Sequence, residues 1–303
     1  MLKTVGVNEA KDQIIKYWNQ DFFDTFPLDR RLFEQKIINN RFTLFDESFV
    51  LFDDDKYLGS IVLKQQVDTL FISLIHVAKS ERLKGYGKKL VKHAMTVMQK
   101  RQLKDIIIGR DNDCLFSGLF VNNNELTHKF FLDIGFKKNH DNFNLISGSR
   151  PGNSISRDGY FVRVVSSDAE KEEVLKLIKQ NFSERWHEEV SRSLLEDIYI
   201  LLHRNKIIGF VNTANPKSPV FSNSMNLYLL FKNLFGMGPL GLDKDYQGQG
   251  LGTYLVNVTL KDLFDRGASE VMVDWTGLVD FYKKCGFERI FSKYTIYSYE
   301  KEV

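Results

Sequence analysis

The chain carries one glycine-containing pattern twice, and this internal repeat limits the possible fold more than any other feature. Residues 82–87 read RLKGYG and residues 247–252 read QGQGLG, so corresponding positions lie 165 residues apart. A second pair, FFLDIGF at 130–136 and FYKKCGF at 281–287, repeats after 151 residues. The shorter second offset places an extra loop of about 14 residues in the first half. A repeat this long indicates a duplicated domain, because solenoid repeats have periods of roughly 20–50 residues.

The division between the two copies is predicted from the middle of the chain. A length of 303 residues suits two domains of about 150 residues each. Residues 147–158 read SGSRPGNSISRD, which is rich in turn-forming residues and has no apolar periodicity. We therefore predict a first domain over residues 1–148, a linker over 149–157 and a second domain over 158–303.

Both halves show the same order of predicted elements. Each has helical patterns, then two β-rich runs around a polar turn (SFVLFDDDKYLGSIVLK and IYILLHRNKIIGFVNTA), which predict a hairpin. A further strand, the glycine pattern, an amphipathic helix and another short strand follow. In the first half that helix is predicted from apolar residues at helical spacing: Leu90, Val91, Ala94, Val97 and Met98.

Composition excludes several functional classes. The net charge of +3 is too small to indicate a nucleic-acid partner. No apolar run reaches the roughly 18 residues that span a bilayer, and the start MLKTVGVNEAKDQ lacks the apolar core of a signal peptide. The two cysteines, Cys114 and Cys285, have no metal-ligand spacing and suit a reducing compartment. We expect a cytoplasmic protein without metal, nucleic-acid or membrane partners, either a monomer or a homodimer.

The position of each glycine pattern between a strand and a helix predicts an anion-binding turn. The first turn of a helix leaves backbone N–H groups unpaired, and these groups together with the helix dipole bind phosphates. Glycine lets the main chain approach a phosphate closely because it has no Cβ. Neither copy has the G-x-G-x-x-G spacing of a dinucleotide site or the G-K-[ST] ending of a P-loop.

Both copies instead fit (Q/R)-x-x-G-x-(G/A), which resembles the acetyl-CoA-binding motif of the GNAT superfamily of N-acetyltransferases. FYKKCGF is similar to the helix and strand that follow the cofactor in that family. The tandem arrangement resembles a bacterial tandem-GNAT subgroup. The resemblance implies an α/β fold of two tandem domains, each with a central, mostly antiparallel, twisted mixed sheet flanked by helices. It also implies acetyl-CoA as cosubstrate and a small-molecule amine as acceptor. The sequence does not identify the acceptor, and a small amine, an aminoglycoside, an amino sugar, a peptide N-terminus and a lysine all stay open.

The resemblance further implies which residues contact acetyl-CoA. The strand before the motif is expected to diverge from its neighbour, and a backbone N–H near Leu242, or near Val77 in the first half, polarises the thioester carbonyl. The expected pyrophosphate-binding residues of the second half are Gln247, Gly248, Gln249, Gly250, Leu251, Gly252 and Thr253. Those of the first half are Arg82, Lys84, Gly85, Tyr86, Gly87 and Lys88, with Asn124 as a further cofactor contact.

The expected reaction is attack of an amine on the thioester, which needs an acid for the departing thiolate. Tyr282 falls on the position of the family's tyrosine acid, whereas the first half has Phe131 there. We therefore expect a catalytic second half and a first half that binds CoA or serves as scaffold. Asp274 and Asp243 are the candidate bases, with an ordered water as the alternative.

Two other functions fit parts of this pattern. The first is a GNAT-fold module that binds or senses acyl-CoA without turnover, which Phe131 and Trp275 favour. The second is an aminoacyl-tRNA-dependent peptidyl transferase, which the two glycine motifs and the low net charge disfavour. Cys285 within FYKKCGF is interpreted as a packed, inert thiol.

Overall fold

The computed structural model of the chain describes residues 1–121, 125–152 and 156–300. The α-helices are α1 Lys11–Phe22, α2 Arg30–Phe33, α3 Tyr86–Lys100, α4 Glu125–Asp133, α5 Asp168–Asn181, α6 Glu184–Ser191, α7 Leu251–Asp265 and α8 Val279–Lys284. The strands are β1 Leu2–Gly6, β2 Phe49–Asp53, β3 Lys56–Gln66, β4 Thr69–Val77, β5 Asp105–Ile108, β6 Leu119–Phe120, β7 Lys137–Ser147, β8 Tyr160–Val164, β9 Ile198–His203, β10 Lys206–Ala214, β11 Leu234–Leu242, β12 Glu270–Thr276 and β13 Arg289–Glu300.

The first of two compact units comprises Met1–Asn142 and the stretch that begins at Ser292. Its strands follow the order β1-β2-β3-β4-β5-β13, and β6 also pairs with β13. All neighbours run antiparallel except β4 and β5, which are parallel. The β4–β5 pairing stops at Ile72 and Ile108, so the rest of β4 diverges from β5.

The second unit comprises Phe143–Phe291 and repeats this topology. Its strands follow the order β8-β9-β10-β11-β12-β7, again antiparallel apart from one parallel pair, β11 with β12. That pairing ends at Met237 and Val273, the positions 165 residues after Ile72 and Ile108. Each unit is thus a mostly antiparallel mixed sheet flanked by helices, which confirms the predicted fold class.

Each unit takes its last strand from the other side of the predicted linker at residues 149–157. The first unit includes β13 from the end of the chain, and the second unit includes the end of β7, which precedes the linker. Residues of β13 from Ser298 onward pair with β5 in the first unit. Residues Phe143 to Ser147 of β7 pair with β12 in the second unit. The two repeats offer the same kind of sheet edge beside their parallel pair, so local sequence does not specify which edge a strand joins.

The amphipathic helices form because their apolar residues recur on one face. In α3 the five predicted apolar residues are all buried and pack on β3, β4 and β5, as the spacing predicts. In the second unit α7 and α8 cover one sheet face, and α5 and α6 cover the other. Ser167 and Ser183 cap α5 and α6 by accepting from backbone N–H groups. None of the described helices is long and apolar enough to cross a bilayer.

Candidate active site

The glycine turn of the second unit, residues 247–252, joins the end of β11 to the start of α7. The Gln247 side chain donates from Nε2 to the Leu242 carbonyl at 3.1 Å, which attaches the turn to the end of the strand. Gly248 and Gly250 have φ values of +74° and +75°, a region that favours glycine. No side chain caps α7. In the part of the chain that the structure describes, the N–H groups of residues 248–253 have no hydrogen-bond partner, so the turn presents a row of donors.

The glycine turn of the first unit, residues 82–87, repeats this geometry with other side chains. Arg82 donates from Nε to the Val77 carbonyl at 3.0 Å, the counterpart of the Gln247 contact. Leu83 takes the left-handed conformation with φ +64° where the second unit has Gly248, and Gly85 does so with φ +88°. The Arg82 guanidinium also donates from Nη2 to Asp21, and Lys84 pairs with Glu81 at 3.1 Å. Two of the predicted phosphate ligands are therefore already engaged in ion pairs.

At the end of the strand before each turn, one backbone N–H points away from the neighbouring antiparallel strand. The Asp243 N–H donates to the Ile208 carbonyl on β10 at 2.8 Å. Because N–H groups alternate in direction along a strand, the Leu242 N–H points the other way, into the gap where β11 leaves β12. In the first unit the Ala78 N–H donates to Leu58 at 3.1 Å, so the Val77 N–H has the corresponding direction.

Glycines in the first turn of α3 and α7 allow aromatic side chains to pack against them. A Cβ on Gly252 would lie 3.4 Å from the ring of Phe281, and one on Gly87 would lie 3.2 Å from Phe130. The predicted residues Gln249, Leu251, Tyr86 and Lys88 also lie in or directly after the turns, and Leu251 is buried. Thr253 forms a hydrogen bond with Cys285, whose thiol pKa is raised to about 11 by burial. Asn124 lies outside the described residues.

Arg157 reaches the second glycine turn, although sequence reasoning placed it in the linker. It donates from Nη2 to the Gln249 carbonyl at 2.6 Å. Its Nη1 lies 3.2 Å from the position that a Cβ on Gly250 would occupy. The Tyr160 N–H donates to the Arg157 carbonyl at 3.1 Å, and the Tyr254 hydroxyl donates to the Tyr160 carbonyl at 3.2 Å. These contacts hold a guanidinium beside the unpaired N–H groups. An isolated arginine in a polar linker has no sequence signal for this role.

Tyr282 lies on α8, close to the gap between β11 and β12. It is 8% exposed and packs edge to face with Phe281 and Phe287. Among the described residues none is hydrogen-bonded to its hydroxyl. Burial raises its pKa, and the nearby Asp274 carboxylate raises it further, so the phenol stays protonated at neutral pH.

Asp274 and Asp243, the two candidate bases of the sequence analysis, have different surroundings. Asp274 is the first residue of β12 beyond the parallel pairing, and its Oδ1 lies 3.6 Å from the Cβ position of Gly238. Asp243 instead accepts from the Asp245 N–H at 3.2 Å and pairs with Lys206 at 3.3 Å, so it stabilises a turn. Trp275 follows Asp274 with a φ of +46°, and the Arg185 guanidinium lies 4.2 Å from its ring centroid. A positive φ at a tryptophan is strained backbone.

The corresponding gap in the first unit contains a buried ionic cluster. Ser73, the counterpart of Gly238, donates to Asp111 at 2.8 Å, and Lys64 contacts the same carboxylate at 2.5 Å. Lys64 and Asp111 are both fully buried. Phe131 occupies the Tyr282 position and packs in the core with Phe136. The first unit therefore holds its loop after β5 against the diverging end of β4, and it has a phenyl ring where the second unit has the Tyr282 phenol.

Comparison with known proteins identifies the family. The model of the acetyltransferase (GNAT) family matches residues 11–115 and 171–287. N-alpha-acetyltransferase 30 of Schizosaccharomyces pombe is 29% identical over 94 residues, covering 29% of this chain and 56% of that protein. The match thus spans about half the length of this curated relative.

Solved structures show the same fold over the whole chain. A GNAT protein of Sphaerobacter thermophilus has a TM-score of 0.71 at 13% identity, covering 99% of this chain and 95% of its own. A tandem GNAT protein of clavulanic acid biosynthesis has a TM-score of 0.67 at 12% identity, with 99% and 98% covered. A glucosamine N-acetyltransferase region of a fungal multi-domain β-N-acetylglucosaminidase has a TM-score of 0.88 at 17% identity, with 99% and 38% covered. The chain belongs to the acetyltransferase (GNAT) family and contains two GNAT domains in tandem.

Proposed function

We propose that the second unit is an acetyl-CoA-dependent N-acetyltransferase that acts on a primary amine, and that the first unit does not catalyse transfer. One observation carries this proposal. The gap of the second unit combines a donor-rich glycine turn with a protonated phenol to which no described residue is hydrogen-bonded, whereas the equivalent gap of the first unit contains Ser73, Asp111 and Lys64. The family membership supports acetyl transfer in general.

Acetyl-CoA would supply the acetyl group as a reactive thioester. The N–H groups of residues 248–253 would bind its pyrophosphate together with the Arg157 guanidinium. The N–H groups belong to the glycine turn and the guanidinium contacts the same turn, so these donors lie side by side. The Leu242 N–H would donate to the thioester carbonyl as negative charge develops there. Asp274, at the point where the strands part, would orient the amine and accept its proton directly or through water.

Tyr282 would act as the general acid in the same site. Its raised pKa keeps the proton on the phenol until a thiolate forms, and no described residue competes for the hydroxyl. We assign the base to Asp274 because it lies where β12 leaves β11, with its Oδ1 3.6 Å from the Cβ position of Gly238, whereas Asp243 pairs with Lys206 in a turn. The buried, hydrogen-bonded Cys285 has no part in the proposed reaction.

A matched pair of substitutions tests which turn binds acetyl-CoA. Gly252→Glu and Gly87→Glu change equivalent helical positions. The added Cβ would lie 3.2 Å from the Phe130 ring at Gly87, and 3.4 Å from the Phe281 ring and 3.7 Å from Leu242 Cδ1 at Gly252. A glutamate in the first helical turn is compatible with the helix dipole but repels a pyrophosphate. We expect calorimetric titration to show loss of acetyl-CoA binding in Gly252→Glu and full binding in Gly87→Glu, with unchanged melting temperatures. The opposite pattern would place the cosubstrate in the first unit.

The same titration separates the alternatives. Wild type that binds acetyl-CoA but releases no thiol with any amine would favour an acyl-CoA-binding module. Wild type that does not bind acetyl-CoA would exclude the proposed reaction. We would then measure aminoacyl-tRNA binding directly, since peptidyl transfer from that donor does not require the glycine turn.

A further inference from the structure

A buried amide in the second unit, that of Asn212, has no hydrogen-bond partner among the residues that the structure describes. Asn212 on β10 is 1% exposed, and its Oδ1 has no hydrogen-bond partner among the described residues. Neither end of its amide is bonded within that part of the chain. A buried polar group without a partner destabilises the fold, because its hydration is lost and not replaced, and natural proteins keep few such groups. An uncompensated amide therefore points to a ligand that supplies the missing hydrogen bonds.

The position of Asn212 on the strand places it at the start of the gap. The β10–β11 register skips between Val211 and Thr213, where β11 carries an extra residue at Gly238–Pro239. Asn212 thus lies across from the point where β11 leaves β12. A Cβ on Gly238 would have only the Asp274 carboxylate within 4 Å. The space at the Cβ position of Gly238, on the strand opposite Asn212, is therefore open apart from this one carboxylate.

The two segments that cover this face of the sheet leave Asn212 between them. Phe210, Asn212 and Ala214 share one face of β10 because side chains alternate along a strand. The rings of Phe182 and Trp186 pack on Phe210. At the other end Gly236 lies opposite Ala214, and its added Cβ would lie 2.2 Å from Ser224 Oγ, so the Asn223–Met225 turn covers that position.

We propose that Asn212 binds a hydroxyl group of the acceptor, and that the acceptor is a small primary amine with a neighbouring hydroxyl, such as an amino alcohol or an amino sugar. This inference rests on the proposed acetyltransferase function. An amide offers one acceptor and two donors, which match a hydroxyl that both donates and accepts. The hydroxyls of Ser222 and Ser224, 2.7 Å apart, add neutral hydrogen-bonding groups nearby. The near-complete burial of Asn212 suits a small molecule rather than a polypeptide chain.

The reaction on such an acceptor balances without a further reagent. The amine nitrogen forms a bond to the acetyl carbon, and the carbon–sulfur bond of the thioester breaks. The amine proton passes to Asp274 or to a water beside it, and the Tyr282 proton passes to the departing thiolate. Asn212 takes no part in these bond changes. It acts as a specificity-determining residue that holds the acceptor hydroxyl.

The test compares two acceptors that differ by one hydroxyl. Cyclohexylamine and 2-aminocyclohexanol are assayed with acetyl-CoA by thiol release, using wild type and Asn212→Leu. We expect wild type to prefer the amino alcohol. The Asn212→Leu variant should lose about 10–100-fold in kcat/KM for it, which corresponds to about 1.4–2.7 kcal/mol of hydrogen bonding. The same variant should change kcat/KM for cyclohexylamine by less than about twofold.

Stability provides a matched control. Asn212→Leu removes an unpaired amide, so the melting temperature should stay the same or rise. Asn142→Leu makes the same change at a buried asparagine whose Nδ2 donates to the Ser117 carbonyl at 3.0 Å. This control should melt at a lower temperature yet keep the wild-type preference for the amino alcohol.

Three results would overturn the inference. Equal losses for both amines in Asn212→Leu would show a general structural effect. A wild-type preference for cyclohexylamine, or for an alanyl peptide included as a third acceptor, would contradict the substrate class while leaving acetyl transfer intact. Wild type that does not bind acetyl-CoA would instead refute the proposed function, and this inference with it.

Discussion

Removing the Tyr282 hydroxyl should separate catalysis from binding and stability. Tyr282→Phe deletes one oxygen from a ring held by Phe281 and Phe287, and no described residue is hydrogen-bonded to that oxygen. The free energy of unfolding should therefore change by less than about 1 kcal/mol, since no hydrogen bond is lost. A positioned general acid contributes roughly 10²–10⁴-fold to rate. We expect kcat to fall at least about 100-fold, which corresponds to about 2.7 kcal/mol of activation free energy.

The assay measures thiol release under saturating acetyl-CoA and calorimetric affinity in parallel. Affinity for acetyl-CoA should remain within about twofold of wild type, because the phenol is proposed to act only as the thiolate forms. Tyr297→Phe is the control: it removes the hydroxyl of another buried tyrosine, which lies 2.8 Å from His128 Nδ1 and outside the proposed site. That variant should keep wild-type kcat.

The pH dependence of kcat is a second test of the proposed role of Tyr282 as the acid. Burial raises the Tyr282 pKa above its ordinary value of 10, and Asp274 adds to this. Wild type should therefore show no loss of kcat from ionisation of this phenol up to pH 10. If Tyr282→Phe retains kcat within about threefold of wild type, the tyrosine is a core aromatic and the acid is an ordered water.

Three further predictions concern the surroundings of the two sites. Arg157→Ala should weaken acetyl-CoA binding about 10–100-fold in calorimetry, because an arginine–phosphate contact is worth about 1.5–3 kcal/mol. Unchanged affinity would show that Arg157 is not part of the cosubstrate site. Lys64→Met should lower the free energy of unfolding in urea by about 3–5 kcal/mol, since Asp111 is left buried without its cation. Adding Asp111→Asn should recover part of this loss. If the effects of the two substitutions on the free energy of unfolding simply add, the two side chains are not coupled. Arg163, with a Ser166 backbone N–H, lowers the pKa of Glu170 to about 2, so this carboxylate stabilises the fold above its unfolded pKa near 4.5 and the contribution disappears as pH falls toward 2. Thermal melts of Glu170→Gln should accordingly depend less on pH than wild type between pH 4.5 and 2, and parallel curves would refute the assignment.

Much of the architecture was predictable because it is encoded in short, contiguous stretches. The spacing of Leu90, Val91, Ala94, Val97 and Met98 specifies the buried face of α3, since a helix brings residues three and four apart together. The two glycine patterns specify turns with positive φ at Gly85 and Gly250. The repeat of both patterns indicates two domains, and their motif indicates the family.

Contacts between residues that are distant in the sequence could be learned only from the tertiary structure. Lys64 and Asp111, 47 residues apart, look like ordinary surface charges in the sequence, and only the packing of a loop against β4 buries them as a pair. The unpaired amide of Asn212 and the contact of Arg157 with the Gln249 carbonyl likewise have no local signature. Long-range packing also decides that β13 joins the first unit and the end of β7 joins the second. Two similar sheet edges compete for each strand, and the choice depends on long-range packing rather than on any window of sequence.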